Sequence, residues 1–259
     1  MAGPLILPPP PLLPVLGAVA EAALFLDFDG TLVEIAATPG AVRVPDFLPR
    51  LLQRLALRLN GALAVVSGRS LRDLDHFLPV PISMAGDHGA TLRPVPDQPP
   101  EGPVLPYPPP EWRDRAAALV AHHPGALIED KDHGFVLHYR LTPELGAEAA
   151  ALMAGLAAEQ PLAFTLLEAR MAWELRPRGP SKATAVHALM ARAPFVGRVP
   201  VFIGDDVTDE EGMAAARSHG GHGWRLQDAF GDPAALRRWL VAAMQDEALP
   251  LAPSPGAAA

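Results

Sequence analysis

The stretch "ALFLDFDGTL", Ala23 to Leu32, decides how this chain folds. Four apolar residues, Ala23-Leu24-Phe25-Leu26, run straight into two carboxylates one residue apart, Asp27 and Asp29, and the chain turns at Gly30. An apolar run of strand length with no polar alternation suits a strand covered on both faces, as in a parallel sheet. Ligands of such sheets bind beyond the carboxyl ends of the strands, which is where Asp27 falls. A second run, "VPVFIGD" from Val199 to Asp205, delivers another carboxylate to the same rim.

A lone Asp after a strand more often caps the next turn or helix. Here the carboxylates come in number. Asp27, Asp29, Asp205, Asp206 and Asp209 would converge on a small volume, where like charges repel unless a cation compensates them. The chain has no cysteine, so a metal must sit on oxygen or imidazole, and Mg²⁺ is the natural partner of such a set. With the ion in place, Asp27 can attack a phosphate monoester in line. Asp29 can protonate the leaving alkoxide and later deprotonate the water that hydrolyses the aspartyl phosphate.

Two further pieces suit a phosphate site. "VVSGR" ends a strand with Ser67, whose hydroxyl, together with the Gly68 amide, can hold a phosphoryl oxygen where the next helix begins. "GPSK" places Lys182 at a helix start, where its ammonium can neutralise charge on the transferring group. Singly, Ser67 reads as an ordinary N-cap and Lys182 as a surface lysine. Their place between the two Asp clusters is what raises them.

Apolar strands alternating with helical patterns predict an α/β fold, a parallel sheet flanked by helices, over residues 21–105 and 178–247. The expected strands are Ala22 to Asp27, Ala62 to Val66, Ile82 to Ala85, Val199 to Ile203 and Gly223 to Leu226. Residues 106–177 have another texture: helix, hairpin, helix, hairpin, a small antiparallel α+β insert, with Thr142 expected as N-cap and Pro143 as first residue of its second helix. Residues 1–20 and 248–259 read as a Pro-rich arm and a flexible tail.

The formal net charge of −8 over 259 residues argues against a nucleic-acid or anionic-membrane surface. The apolar amino terminus has no Lys or Arg among its first residues and is broken by prolines, so it fits neither a signal peptide nor a spanning helix, and a cytoplasmic location is expected.

In chain order, "DFDGTL", "SGR", a lysine ahead of a helix and "GDDVTDE" resemble the four motifs of haloacid-dehalogenase (HAD) phosphatases. "GDDVTDEEGM", "IEDKDHGFVLHYR" and "ARMAWELRPRGPSKATAV" further resemble the trehalose-6-phosphate phosphatase family. The resemblance implies a Rossmann-like core with an inserted C2-type cap, Asp27 as nucleophile, and Mg²⁺ held by Asp27, Asp205 and the Asp29 carbonyl, with Asp206 and Asp209 in support. In the cap it implies that Glu129, Lys131 and Glu174 grip sugar hydroxyls. Gly68, Arg69 and His88 are further substrate-binding candidates, Arg69 also as the partner of a core carboxylate. The segment "GDHGATLR" departs from the family at Thr91, where a Glu is usual. Sucrose phosphate, mannosyl phosphoglycerate and a non-catalytic sugar-phosphate-binding regulator stay open as alternatives. The sugar phosphate is expected to come from a synthase on a separate chain.

Overall fold

A computed structural model describes residues 5–36, 38–169 and 171–244; the tail expected at 248–259 lies outside them. The chain divides into two compact units, 1–101 with 181–259, and 102–180. The first unit opens with β1 (Ile6–Leu7), β2 (Val19–Ala20), β3 (Ala22–Leu26), α1 (Leu48–Arg58), β4 (Leu63–Val66), α2 (Leu71–Phe77), β5 (Ser83–Gly86) and β6 (Thr91–Arg93). The second unit holds α3 (Pro110–Val120), β7 (Leu127–Lys131), β8 (Gly134–His138), α4 (Gly146–Glu159), β9 (Phe164–Ala169) and β10 (Ala172–Pro177). The chain then returns with α5 (Lys182–Met190), β11 (Val199–Gly204), α6 (Val207–Ser218), β12 (His222–Arg225), α7 (Leu226–Ala229) and α8 (Pro233–Ala243).

The sheet of the first unit runs β12-β11-β3-β4-β5-β6. Its first five strands are parallel, as the Rossmann-like reading requires. Every residue of β3 is buried, which explains its unbroken apolar run: side chains on both faces meet core. Ile203 pairs with Leu26, and the Asp27 amide donates to the Ile203 carbonyl at 3.0 Å. This register brings the residues just after β3 and just after β11 to one edge of the sheet. α1 shows why a helix forms there, for Leu48, Leu51, Leu52, Leu55 and Ala56 are its buried stripe at helical spacing.

Three features add to the expected fold or adjust it. The edge strand β6 was not foreseen and runs antiparallel to β5, because the short turn Asp87–Gly89 between them leaves no room for a crossover helix. The Pro-rich arm is strapped to its unit: β1 pairs with β2, Leu5, Leu7 and Val19 are buried, and the Trp239 indole N–H donates to the Pro9 carbonyl. Prolines lose little freedom on ordering and still offer carbonyls, so an aperiodic run can dock. Thr142 stands at the N-cap position and Pro143 first in a 3-10 helix, Pro143–Leu145, that leads into α4 at Gly146, but the Thr142 side chain makes no cap bond and its hydroxyl donates to the Pro124 carbonyl.

In the second unit the sheet order is β7-β8-β10-β9, all antiparallel. Trp112, Phe135, Leu137, Phe164 and Leu175 form its core with residues of α4. Strand alternation puts Glu129 and Lys131 on β7, His138 on β8 and Glu174 on β10 on the sheet face opposite to that of Phe135 and Leu175.

Candidate active site

The carboxyl edge of the first unit's sheet gathers the charges. Asp27 directly follows β3 and is buried, Lys182 begins α5 and is buried, and Asp209 sits in the first turn of α6, wholly buried. The Lys182 ammonium donates to Asp27 Oδ1 at 2.7 Å and to Asp209 Oδ1 at 2.6 Å. This ammonium is no surface group. Asp209 Oδ2 accepts the backbone amides of Asp205 and Asp206, both at 3.0 Å, so it holds the β11–α6 turn in shape. Asp206 is the N-cap of α6, accepting from the Val207 amide.

Asp205 Oδ1 accepts the Thr31 hydroxyl at 3.1 Å. Thr31, inside "DFDGTL", is a positioning group that no local sequence signal marks, since its partner lies 174 residues away. Gly30 is required by space and by backbone: its φ is +82°, and a Cβ there would lie 2.3 Å from Asp205 Oδ2. Any larger residue would push the two carboxylate turns apart.

The electrostatics follow from this crowding. Burial, and after it the neighbouring Asp209, push the Asp27 pKa well above the ordinary carboxylate value despite Lys182. Burial and Asp209 push Asp205 up to about 6. Burial alone would lower Lys182, but Asp27 and Asp209 outweigh it and hold the ammonium above its ordinary value. One lysine thus stands against three acids. One carboxylate oxygen each of Asp27, Asp205 and Asp209 lies within 4.8 Å of the others. Among the described residues no hydrogen bond reaches Oδ2 of Asp27 or Asp205, so each retains an oxygen for a hard cation. Both oxygens of Asp209 are engaged, which leaves it less suited to ligate directly.

Ser67 ends β4, is buried, and its Oγ accepts the Arg69 amide at 3.1 Å. It is not the helix cap; Ser70 caps α2 by accepting from the Asp73 amide. Gly68 is packed beneath His88, whose ring Nε2 would lie 2.5 Å from a Cβ at that position. His88 itself is buried, has φ +54°, and donates its amide to the Ser67 carbonyl at 2.9 Å. Asp87 and His88 are consecutive non-glycine residues in the left-handed region, a strained pair that the surrounding bonds maintain. Arg69 sets its Nε and Nη2 on the two oxygens of Asp29 at 2.6 and 2.8 Å.

In the second unit Glu129 bonds Lys131 at 2.5 Å and His138 at 2.8 Å. Against the cost of burial, the His138 hydrogen bond and the Lys131 ammonium hold the Glu129 carboxyl down at about 2, below its ordinary 4.5. A depressed carboxyl stabilises the fold above its unfolded value and loses that contribution as pH falls through the folded value. The advantage of wild type over Glu129→Gln, no more than about 3 kcal/mol, is therefore expected to be full at pH 6 and to shrink between about pH 4.5 and 2. Urea denaturation at pH 6 and pH 3 measures it, and an advantage undiminished at pH 3 would contradict the pairing. Glu174 lies buried on β10, on the same sheet face.

A family model described as trehalose-phosphatase matches residues 25–230. Over 231 residues the chain is 38% identical to trehalose-6-phosphate phosphatase of Escherichia coli (strain K12), covering 88% of this chain and 84% of that one. It is 39% identical over 211 residues to a probable trehalose-phosphate phosphatase of Sinorhizobium fredii, covering 79% and 77%. The C-terminal domain of C. albicans trehalose-6-phosphate phosphatase has a similar fold, with TM-score 0.69 at 18% identity over 88% of this chain and 93% of that one.

Proposed function

The chain belongs to the trehalose-phosphatase family and is a phosphoric monoester hydrolase; from that premise we propose that it hydrolyses trehalose 6-phosphate with Mg²⁺, through an aspartyl phosphate on Asp27. The observation that carries the mechanism is the set Asp27, Asp205 and Asp209 within 4.8 Å, with Lys182 bonded to two of them. Asp27 and Asp205 side chains and the Asp29 carbonyl would hold the ion. When bound, it supplies positive charge that lowers the repulsion between a carboxylate nucleophile and a phosphate dianion.

Asp27 attacks phosphorus along the line of the leaving oxygen. Lys182 favours the ionised form of Asp27 against the burial that opposes it, and aims the group, since Oδ1 is tied at 2.7 Å and Oδ2 is left to react. Ser67 Oγ and the Gly68 amide take an equatorial phosphoryl oxygen, their loop fixed from below by His88. Asp29 gives its proton to the departing sugar alkoxide, then takes one from the water that cleaves the acyl phosphate. Glu129, Lys131 and Glu174 bind the disaccharide hydroxyls. A sugar whose only charge is its phosphate is best distinguished by charge-assisted bonds to its hydroxyls, and these three side chains share one sheet face.

No helix among the described residues is long and apolar enough to cross a membrane. The same reading places the enzyme in the cytoplasm, fed by a separate synthase of the sugar phosphate.

Phosphate release from a panel of sugar phosphates tests the assignment. Trehalose 6-phosphate is expected to exceed sucrose and glucose phosphates by at least about a hundredfold in kcat/KM. Chelation of the divalent ion is expected to cut turnover by about a thousandfold, a barrier rise of several kcal/mol. Lys131→Ala is expected to cost trehalose 6-phosphate about tenfold or more and a small aryl phosphate almost nothing. A flat panel would remove the trehalose assignment and leave the phosphatase.

A further inference from the structure

We infer that Arg69 is the residue that positions the Asp29 acid/base, and that it acts through Asp29 and not by binding phosphate. The inference rests on the mechanism above. Its ground is geometric. The Arg69 guanidinium meets both Asp29 oxygens in a two-bond fork at 2.6 and 2.8 Å. An arginine fork fixes a carboxylate in plane and in rotation, which a point charge cannot do.

The guanidinium is itself held. Its Cζ lies 4.9 Å from the Phe77 ring centroid and 5.6 Å from that of Phe28, so two aromatic rings line it, and the side chain is only 10% exposed. The main chain is pinned as well: the Arg69 amide donates to Ser67 Oγ at 3.1 Å, and its carbonyl accepts the Asp87 amide at 2.8 Å. Asp29 is the looser member of the pair, with 36% of its side chain exposed. A fixed cation therefore sets the place of a freer carboxylate. Phe28 stands between Asp27 and Asp29 in the chain, and its ring contributes to the lining, so one short segment carries the nucleophile, the acid/base and part of the support for the residue that orients it.

The step affected is the first. As the Asp27 oxygen bonds to phosphorus and the ester P–O bond breaks, the Asp29 proton passes to the departing oxygen, leaving an alcohol and an Asp29 carboxylate, and the guanidinium fork, which favours the ionised form, stabilises that carboxylate as it forms. A strongly basic alkoxide needs that proton. A nitrophenolate does not. The ratio kcat/KM ends at this step and excludes the later hydrolysis of the acyl phosphate.

The test compares benzyl phosphate with p-nitrophenyl phosphate, two sugarless esters of similar size whose leaving groups differ in basicity. Asp29→Asn is the reference, expected to lower kcat/KM for the benzyl ester about a hundredfold or more and for the nitrophenyl ester by less than about fivefold. Arg69→Ala is expected to show the same asymmetry at about thirtyfold, and Arg69→Lys, which keeps the charge and loses the fork, at about tenfold. If Arg69→Ala does not fold, as thermal denaturation would show, Arg69→Lys decides. Adding Arg69→Lys to Asp29→Asn is expected to add no further asymmetry, because nothing is left to position. Equal losses on both esters by the Arg69 variants would mean that Arg69 meets the phosphoryl group, and no loss on either would mean that Asp29 needs no support; both results overturn the inference. If Asp29→Asn itself lowers both esters alike, the assignment of Asp29 as acid is at fault and the inference falls with it.

Discussion

Asp27→Asn is expected to lower kcat on trehalose 6-phosphate by at least about 10⁴-fold while leaving the protein folded. The amide keeps the size of the carboxylate and an oxygen that can accept from Lys182, and Lys182 retains Asp209 at 2.6 Å. What the variant loses is the anionic oxygen that must bond to phosphorus. The same change removes a metal-binding charge, so two contributions vanish together, and saturating Mg²⁺ is expected to restore only a small part of the loss. Phosphate release measures turnover, and acid quenching of wild type with labelled substrate is expected to trap label on the protein where Asp27→Asn traps none. Retention of more than about one-hundredth of the wild-type rate would mean that another group attacks and that Asp27 is only a ligand.

The parts of this site that the sequence displays are those set by local signals. The apolar runs of β3 and β11 mark buried parallel strands, and their strand ends place Asp27 and Asp205 at one rim before any coordinate is consulted. The start of helix α6 is legible because Asp206 at its N-cap and Asp209 in its first turn form a capping box. The same pair shows a local role beside the charged edge: the Asp206 carboxylate accepts the Val207 amide at the helix terminus. Contacts between distant segments are not written in any local pattern. Arg69 reaches Asp29 across 40 residues, and the Thr31 hydroxyl reaches Asp205 across 174, so only the sheet order reveals either. The docked arm was hidden for another reason. Leu5, Leu7 and Val19 are separated by prolines, and a short β1–β2 pair has too few residues to show a period of two.

Lys182→Met is expected to destabilise the first unit by about 3–5 kcal/mol in the presence of a chelator, and to do so although methionine fills much the same volume. The ammonium is 3% exposed and lies 2.7 and 2.6 Å from two carboxylates that are themselves buried. Removing one partner of a buried ion pair leaves the other without compensation, and here two acids lose it at once, with Asp205 close by. The fold can respond only by protonating an acid or admitting a cation. Millimolar Mg²⁺ is therefore expected to recover a larger share of stability in Lys182→Met than in wild type, whose carboxylates already have a counter-charge. Turnover is expected to stay at least about a hundredfold below wild type even then, since an ion serving the carboxylates does not replace the bond that aims Asp27. Thermal and urea denaturation with chelator and with Mg²⁺ give the comparison. A variant as stable as wild type in chelator would show that the acids carry no net charge there, and the account of Lys182 as the counter-ion that lets three carboxylates share one buried edge would fail.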